Sequence, residues 1–219
     1  MIFINFKTYK EGSGEKAIDL VKIIEGVSEE TQIKIIPVVQ ATDIKEIVGG
    51  SKLEVWAQNV DLEDYGAHTG AILPEAVFED GALGTFLNHS EKKLPDFDKL
   101  EAVVKRAKEV NLKTLIFASD VAELVKILSL KPTYAAYEPP ELIGSKTTSV
   151  SQAQPELIAK AVSLSNEAGI PLIVGAGVSS ARDVKKCVEL GAVGVAVASD
   201  VVVANDPKKE LLDLTEGFK

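Results

Sequence analysis

The stretch Gly84-Thr85-Phe86-Leu87-Asn88-His89-Ser90-Glu91 shows the pattern that decides the fold, because an apolar run typical of a β-strand ends directly in a polar motif. Two other stretches repeat this arrangement: Ile2-Phe3-Ile4-Asn5-Phe6-Lys7 and Tyr134-Ala135-Ala136-Tyr137-Glu138-Pro139-Pro140. Polar side chains at the carboxyl ends of separate parallel strands are typical of the active face of an α/β barrel. The three stretches therefore predict that a lysine, a histidine and a glutamate converge as a cation, a polariser and a base for one small anionic substrate.

Predicted strands and helices alternate along the whole chain. Several strand candidates, such as Ile33-Lys34-Ile35-Ile36 and Leu172-Ile173-Val174, are short and mostly apolar, which is typical of strands buried on both faces of a parallel sheet. A weak internal repeat relates Glu79-Asp80-Gly81-Ala82-Leu83-Gly84 to Glu189-Leu190-Gly191-Ala192-Val193-Gly194, and each copy predicts a helix end capped by glycine. The strand candidates are residues 2–5, 33–38, 54–58, 84–87, 114–117, 134–137, 171–174 and 194–197.

The alternation predicts the fold class. With helical patterns over residues 15–30, 96–110, 155–168 and 181–190, the chain is expected to form a (β/α)8 barrel of parallel strands. The length of 219 residues fits one such barrel, so residues 1–219 are predicted to form a single domain. An open doubly wound sheet remains the alternative on pattern alone.

Composition limits the classes of partner and site. The net charge of −9 argues against nucleic acid or an anionic membrane surface as a partner, so an anionic ligand needs a local cluster of donors. A single cysteine, Cys187, excludes an internal disulfide and a cysteine-rich metal site. No apolar stretch approaches the roughly 20 residues that span a bilayer, and polar residues interrupt the apolar start too early for a secretory leader. We therefore expect a soluble, cytoplasmic protein.

Each charged motif has a functional and a purely structural interpretation. Glu138, stiffened by two following prolines, is either a general base that takes a proton from carbon or a surface glutamate at a loop entrance. His89 is either a hydrogen-bond donor to a substrate carbonyl or a cap of the following turn. Lys7 and Asn5 are expected to share one side of an extended segment and to contact one ligand, and the alternative for Lys7 is an ordinary exposed lysine. Two unrelated histidines give no template for a metal site.

Further sequence features point to a phosphate. Gly175-Ala176-Gly177-Val178-Ser179-Ser180 follows the seventh predicted strand and Ala198-Ser199 follows the eighth, where backbone amides form the phosphate site of many barrels. Two loops, residues 60–73 and 139–154, are long for strand-to-helix connections, and long loops in compact domains are usually functional or disordered. Both are expected on the active face.

Taken together, these motifs resemble the triosephosphate isomerase family, in particular its shortened archaeal type. The resemblance covers nearly the whole length and also includes Ala57-Gln58-Asn59-Val60-Asp61, His68-Thr69-Gly70 and Tyr137-Glu138-Pro139-Pro140-Glu141-Leu142-Ile143-Gly144. It implies a TIM barrel that interconverts dihydroxyacetone phosphate and glyceraldehyde 3-phosphate without a cofactor or metal. It also implies a homo-oligomer, with a tetramer favoured over a dimer, in which His68-Thr69-Gly70 reaches a neighbouring subunit.

The resemblance assigns roles to individual residues. Glu138 would be the base and neutral His89 the electrophile, a pairing for which this family is the standard example. Lys7 and Asn5 would hold the substrate, and Glu91 would support the site. A lid over residues 139–149 would exclude water while the enediolate exists. The remaining substrate-binding residues would be Ile143, Gly144, Gly175, Gly177, Ser179, Ala198 and Ser199.

Three positions depart from the archaeal pattern. Asp200 replaces a glycine beside the expected phosphate amides, Lys146 replaces a lid glycine, and Ser119-Asp120 replaces an Asn-rich segment. An inward-facing Asp200 carboxylate would repel a phosphate dianion. Two other functions therefore stay open: a barrel enzyme acting on a larger sugar phosphate, and a catalytically impaired barrel that binds phosphate.

Overall fold

The computed structural model describes residues 1–139 and 155–219 and contains a closed barrel of parallel strands. The strands follow sequence order around the barrel: β1 (Ile2–Asn5), β2 (Ile35–Val39), β3 (Trp56–Ala57), β4 (Gly84–Leu87), β5 (Lys113–Ala118), β6 (Tyr134–Tyr137), β7 (Leu172–Val174) and β8 (Gly194–Val197). Closure is made by β1, in which Ile2 lies opposite Ile35 of β2 and opposite Val195 of β8. The predicted barrel is confirmed, and the open sheet is excluded.

Helices cover the outside of the barrel. Several begin at a side chain that caps the first free N–H groups: Asp96 accepts from Lys99 N at 2.8 Å, and Asp120 accepts from Glu123 N at 2.8 Å. Single 3-10 turns lie at Lys10–Gly12 and Ser90–Lys92. The helices are α1 (Glu15–Thr31), α2 (Ile44–Gly50), α3 (Pro74–Glu79), α4 (Phe97–Glu109), α5 (Val121–Ser129), α6 (Pro155–Glu167), α7 (Ala181–Glu189), α8 (Ser199–Val202) and α9 (Pro207–Glu216). None of the helices in the described ranges is long and apolar enough to cross a membrane.

The internal repeat identified in the sequence marks two equivalent turns. Gly81 and Gly191 have φ values of 97° and 99°, in the region that favours glycine, and each follows the end of a helix. A Cβ at Gly81 would also lie 2.7 Å from Val48 Cγ1. Both glycines allow the chain to turn at once from the helix into the next strand, as predicted.

The barrel interior is filled by large side chains. The ring centroids of Phe3 and Trp56 are 5.1 Å apart, and those of Phe86 and Phe117 are 4.8 Å apart. A Cβ at Gly84 would lie 2.5 Å from Trp56 Cε2, so only glycine fits there. Burying each such side chain contributes about 1.5–3 kcal/mol. The inner cluster consists of Phe3, Ile36, Val38, Trp56, Phe86, Leu115, Phe117, Ala136 and Ile173.

The amino-terminal end of the barrel carries an ion-pair cluster around Glu54. The Glu54 carboxylate accepts hydrogen bonds from Lys34 Nζ at 2.5 Å, from Lys113 Nζ at 2.9 Å and from Trp56 Nε1 at 2.8 Å. Burial disfavours the charged carboxylate, but these hydrogen bonds outweigh it and lower the pKa of Glu54. The cluster ties the starts of three strands together at the end opposite to the polar motifs.

Candidate active site

The first polar motif turns sharply where β1 ends. Lys7 has a φ of 46°, and its backbone N–H donates to Asn5 Oδ1 at 3.0 Å. Gln58 Nε2 donates to the Lys7 carbonyl at 2.8 Å and holds this conformation, which is uncommon for a residue other than glycine. The expectation of an extended segment is therefore wrong at Lys7, because side-chain hydrogen bonds pull its backbone into the left-handed region. Both Asn5 and Lys7 nevertheless line the same cavity.

An ion pair joins the first polar motif to the second. Lys7 Nζ lies 2.8 Å from Glu91 Oε1. The lysine side chain is 17% exposed, whereas that of Glu91 is 55% exposed, so the pair reaches from the site into solvent. Glu91, which the resemblance predicts to support the site, thus lies beside Lys7.

His89 is both a cap and a residue of the site. Its ring is buried, and Nδ1 accepts the backbone N–H of Glu91 at 3.2 Å, which caps the 3-10 turn. In the neutral ring the proton is therefore assigned to Nε2. The ring also packs edge-on against Phe117, with the centroids 4.8 Å apart. The two alternative interpretations of His89 are thus compatible, because capping is what directs Nε2 toward the cavity.

Glu138 faces His89 across the barrel mouth. Its backbone N–H donates to the Ala118 carbonyl at 2.9 Å, and its Oε2 lies 3.4 Å from His89 Nε2. That oxygen is buried and accepts no hydrogen bond from any described residue. A Cβ at Gly175 would lie 2.9 Å from Glu138 Oε1, so the missing side chain at Gly175 makes room for the carboxylate. The second interpretation, a surface glutamate, is wrong because the side chain is 10% exposed.

Burial moves the pKa values of this pair in opposite directions. It raises the pKa of Glu138 to about 7, against the opposing charge of Lys7. It lowers the pKa of His89 to about 4, an effect that Glu91 opposes and Lys7 reinforces. Near neutral pH the histidine is uncharged and the carboxylate is poised to exchange a proton.

A cavity of about 80 Å³ connects the three strand ends. Asp200 also lines it, and so do Tyr9, Phe86 and Phe117, none of which was predicted as a site residue. The described side chains form no cluster of three or more His, Cys, Asp or Glu that could hold a metal ion. The predicted site residues that line the cavity are Asn5, Lys7, His89, Glu138, Gly177, Ala198 and Ser199.

The predicted phosphate residues are only partly brought together. Ser179 lies in an adjoining groove with Ser199 and Asp200, and its N–H donates to Asp183 Oδ2 at 3.3 Å. A phosphate would have to compete with Asp183 for this amide. Gly175 does not line the cavity; it leaves space for the Glu138 carboxylate, which a Cβ at this position would meet. The predicted lid lies outside the described residues except for Pro139, and so Ile143, Gly144 and Lys146 are not described.

The motifs did not indicate the hydrogen bonds made by Asn88, the residue before His89. Glu123 accepts a hydrogen bond from Asn88 Nδ2 at 2.8 Å and from Lys93 Nζ at 2.6 Å. The only feature of the sequence that could have indicated Glu123 is its spacing from Asp120, which is that of a capping box at the start of a helix.

His68, expected at a subunit contact, is exposed in this single chain.

Comparison with known proteins relates nearly the whole chain to one family. A family model described as triosephosphate isomerase matches residues 1–216. The triosephosphate isomerase of Saccharolobus solfataricus is 45% identical over 215 residues, which cover 97% of this chain and 93% of that protein. That of Methanothermus fervidus is 43% identical over 218 residues, covering 98% and 96%.

A solved structure supports the fold. The crystal structure of triosephosphate isomerase from Bartonella henselae matches with a TM-score of 0.74 at 17% identity, over 99% of this chain and 96% of that chain. At that identity the likeness concerns the barrel alone. The family model and the relatives above 40% identity both span nearly the whole sequence. This chain therefore belongs to the triosephosphate isomerase family.

Proposed function

We propose that this chain interconverts dihydroxyacetone phosphate and D-glyceraldehyde 3-phosphate by proton transfer through an enediolate. The observation that carries the proposal is the contact between Glu138 Oε2 and His89 Nε2, 3.4 Å apart in one buried cavity. Burial makes Glu138 a stronger base and keeps His89 neutral. A bound substrate would separate these two atoms, with its carbon against Glu138 Oε2 and its carbonyl oxygen against His89 Nε2–H.

In the proposed mechanism Glu138 takes the proton from the carbon beside the carbonyl. The electron pair of the broken C–H bond forms a carbon–carbon double bond, and the carbonyl pair moves to oxygen. His89 Nε2–H donates to that oxygen, and Lys7 Nζ stabilises the negative charge. Glu138 then returns its proton to the neighbouring carbon, while the hydroxyl proton moves between the two oxygens beside the imidazole.

We place the substrate phosphate at the ends of β7 and β8. Gly177 and Ser199 line the cavity there, and Gly177 has a φ of 68°. Ser179 would join them by exchanging its contact with Asp183 for one with phosphate. Ile143 and Gly144, together with the segment that follows Glu138, are proposed to complete the site by family likeness.

The first test is a coupled assay of isomerisation in both directions as a function of pH. We expect kcat/KM to fall about tenfold per pH unit below the Glu138 pKa of about 7 and to level off above it, because only the carboxylate accepts a proton. The phosphate of the substrate has a pKa near 6, so any loss of rate caused by its protonation begins about one pH unit below that caused by Glu138.

The His89→Gln variant is the control for that assignment. It should be slower yet keep its acidic limb near pH 7, because burial, not His89, sets the pKa of Glu138. A limb that disappears with His89 would assign the titration to the histidine instead. A parent chain that binds triose phosphate without turning it over would favour the impaired barrel.

Asp200 provides a test of the phosphate position. Because it lines the cavity, removing its charge in Asp200→Asn should lower KM by roughly threefold to fivefold with kcat little changed, since one repulsion of the dianion is lost in a partly solvated site. Asp206→Asn is the matched control, because Asp206 lines only the outer groove. An increased KM in Asp200→Asn would mean that Asp200 helps to hold the substrate.

We further propose that residues 1–219 form one domain, that the protein acts in the cytoplasm and that it is a homo-oligomer, with a tetramer favoured over a dimer. Closure of the barrel by β1 and β8 supports the single domain. Tyr65 is 65% exposed and Leu62 is 38% exposed, in the long loop that the resemblance assigns to a subunit contact. Light scattering after gel filtration would determine the number of subunits.

A further inference from the structure

The turn that carries His89 is held at both ends by one side chain, that of Asn88. Asn88 is 4% exposed and has a φ of 59°, so the backbone changes direction immediately before His89. Its Oδ1 accepts the N–H of Leu94 at 3.3 Å, and its Nδ2 donates to the Phe117 carbonyl at 3.0 Å. The direction in which His89 leaves β4 therefore depends on how the Asn88 amide is oriented.

Glu123 also stabilises that orientation, together with the Phe117 carbonyl and the Leu94 N–H. Its Oε1 accepts from Asn88 Nδ2 at 2.8 Å and from Lys93 Nζ at 2.6 Å. Its Oε2 accepts from the backbone N–H of Ser119 at 2.7 Å and from the Ser119 hydroxyl at 2.6 Å. A flipped Asn88 amide would place its own oxygen against Glu123 Oε1 as well as against the Phe117 carbonyl, so the carboxylate strengthens the preference for one orientation.

The Glu123 carboxylate stays charged over the pH range in which the proposed reaction runs. Burial disfavours the charged form, but hydrogen bonds from Lys93, Ser119 and Asn88 outweigh it and lower the pKa of Glu123 to about 2. The support of Asn88 is therefore independent of pH near neutrality, unlike the state of Glu138.

We propose that Glu123 is a positioning residue for His89 and acts through the Asn88 amide. Glu123 lies outside the cavity wall and lines a separate groove on the outer side of this turn, together with Asn88 and Lys93. This inference rests on the proposed function, because the placement of His89 matters for catalysis only if His89 polarises the substrate. The segment after β5, which departs from the archaeal pattern at Ser119-Asp120, thereby acquires a role in holding the histidine.

The test compares Glu123→Ala and Glu123→Gln with the parent. We expect kcat in Glu123→Ala to fall about tenfold, less than the roughly hundredfold that follows a full 1 Å misplacement, with KM within about twofold. Glu123→Gln keeps one oxygen acceptor for Asn88 but loses the charge that binds Lys93, so its loss should be smaller. If the alanine variant fails to fold, the glutamine variant carries the test.

Two controls separate positioning from general destabilisation. Glu54→Gln removes a carboxylate with a similar set of partners at the opposite end of the barrel and should leave kcat unchanged. Nitrogen-15 NMR of the histidine rings reports on the site directly, because the chain has only two histidines and His89→Gln assigns the signals. The His89 signals should shift or broaden in the Glu123 variants and stay unchanged in Glu54→Gln.

The outcomes distinguish the possibilities. Parent kcat and unshifted His89 signals in both Glu123 variants would overturn the proposal, as would an equal loss of kcat in Glu54→Gln. A parent chain without isomerase activity would overturn the proposed function, and the ring signals would still decide whether Glu123 fixes His89.

Discussion

The Glu138→Gln variant is expected to bind triose phosphate with nearly parent affinity while its kcat falls by about 10²–10⁴-fold, the usual contribution of a general base. Glutamine keeps the shape of the side chain and can occupy the space beside Gly175, but its amide cannot accept the proton from carbon. The coupled assay in both directions gives the loss of rate, and competition by unreactive glycerol 3-phosphate measures binding.

The contacts of Glu138 explain why the loss should concern the rate and not binding. The carboxylate oxygen that faces His89 accepts no hydrogen bond from the described residues, so the substitution breaks no hydrogen bond to them at that oxygen. Lys7 and its partner Glu91 are untouched. Loss of binding with an unchanged rate would reverse the assignment and make Glu138 a substrate ligand. Glu54→Gln controls for the general effect of replacing a hydrogen-bonded, partly buried carboxylate.

The sequence predicted the fold well because strand burial leaves a local signature. The predicted boundaries of residues 2–5, 84–87, 134–137 and 194–197 are those observed for β1, β4, β6 and β8. β3 is shorter than predicted, with only Trp56–Ala57 in the ladder, and the flanking Glu54 and Gln58 side chains contact other strand ends instead. An apolar run shows that a strand exists, but the neighbouring strands determine where pairing stops.

The site was predictable only as far as strand ends determine it. Asn5, Lys7, His89 and Glu138 meet because the carboxyl ends of parallel strands meet. The left-handed backbone of Lys7 depends on Gln58, which is 51 residues away in sequence, and no local pattern encodes that contact. The support of His89 by Glu123 likewise depends on a hydrogen bond between two side chains, Asn88 and Glu123, that belong to different βα units. Hydrogen bonds between loops therefore required the three-dimensional structure.

The same burial that makes Glu138 a base should also destabilise the folded chain. The pKa of Glu138 rises from an ordinary value of 4.5 to about 7 on folding, so the folded state binds more protons than the unfolded state between these values. The contribution of the protonated carboxyl group to the free energy of unfolding is fully present below pH 4.5 and is lost as the pH rises through about 7. At 1.36 kcal/mol per pKa unit, the ionised carboxylate costs about 3 kcal/mol above pH 7.

Glu138→Gln should therefore be more stable than the parent at pH 8 and gain little at pH 4.5. The pKa of His89 is lowered to about 4, so the folded chain loses stability through this group as the pH falls from 6.5. This change has the opposite direction and masks the effect of Glu138 when the parent is measured by itself. The informative quantity is the difference in unfolding free energy between variant and parent, measured by urea denaturation from pH 4.5 to 8 at one fixed protein concentration. For Glu54→Gln this difference should have the opposite sign, so that the variant is less stable than the parent at pH 8. Hydrogen bonds lower the pKa of Glu54 and favour its charged form in the folded state. A difference for Glu138→Gln that does not change with pH would mean that the carboxylate is not desolvated, and the basis for its strength as a base would be lost with it.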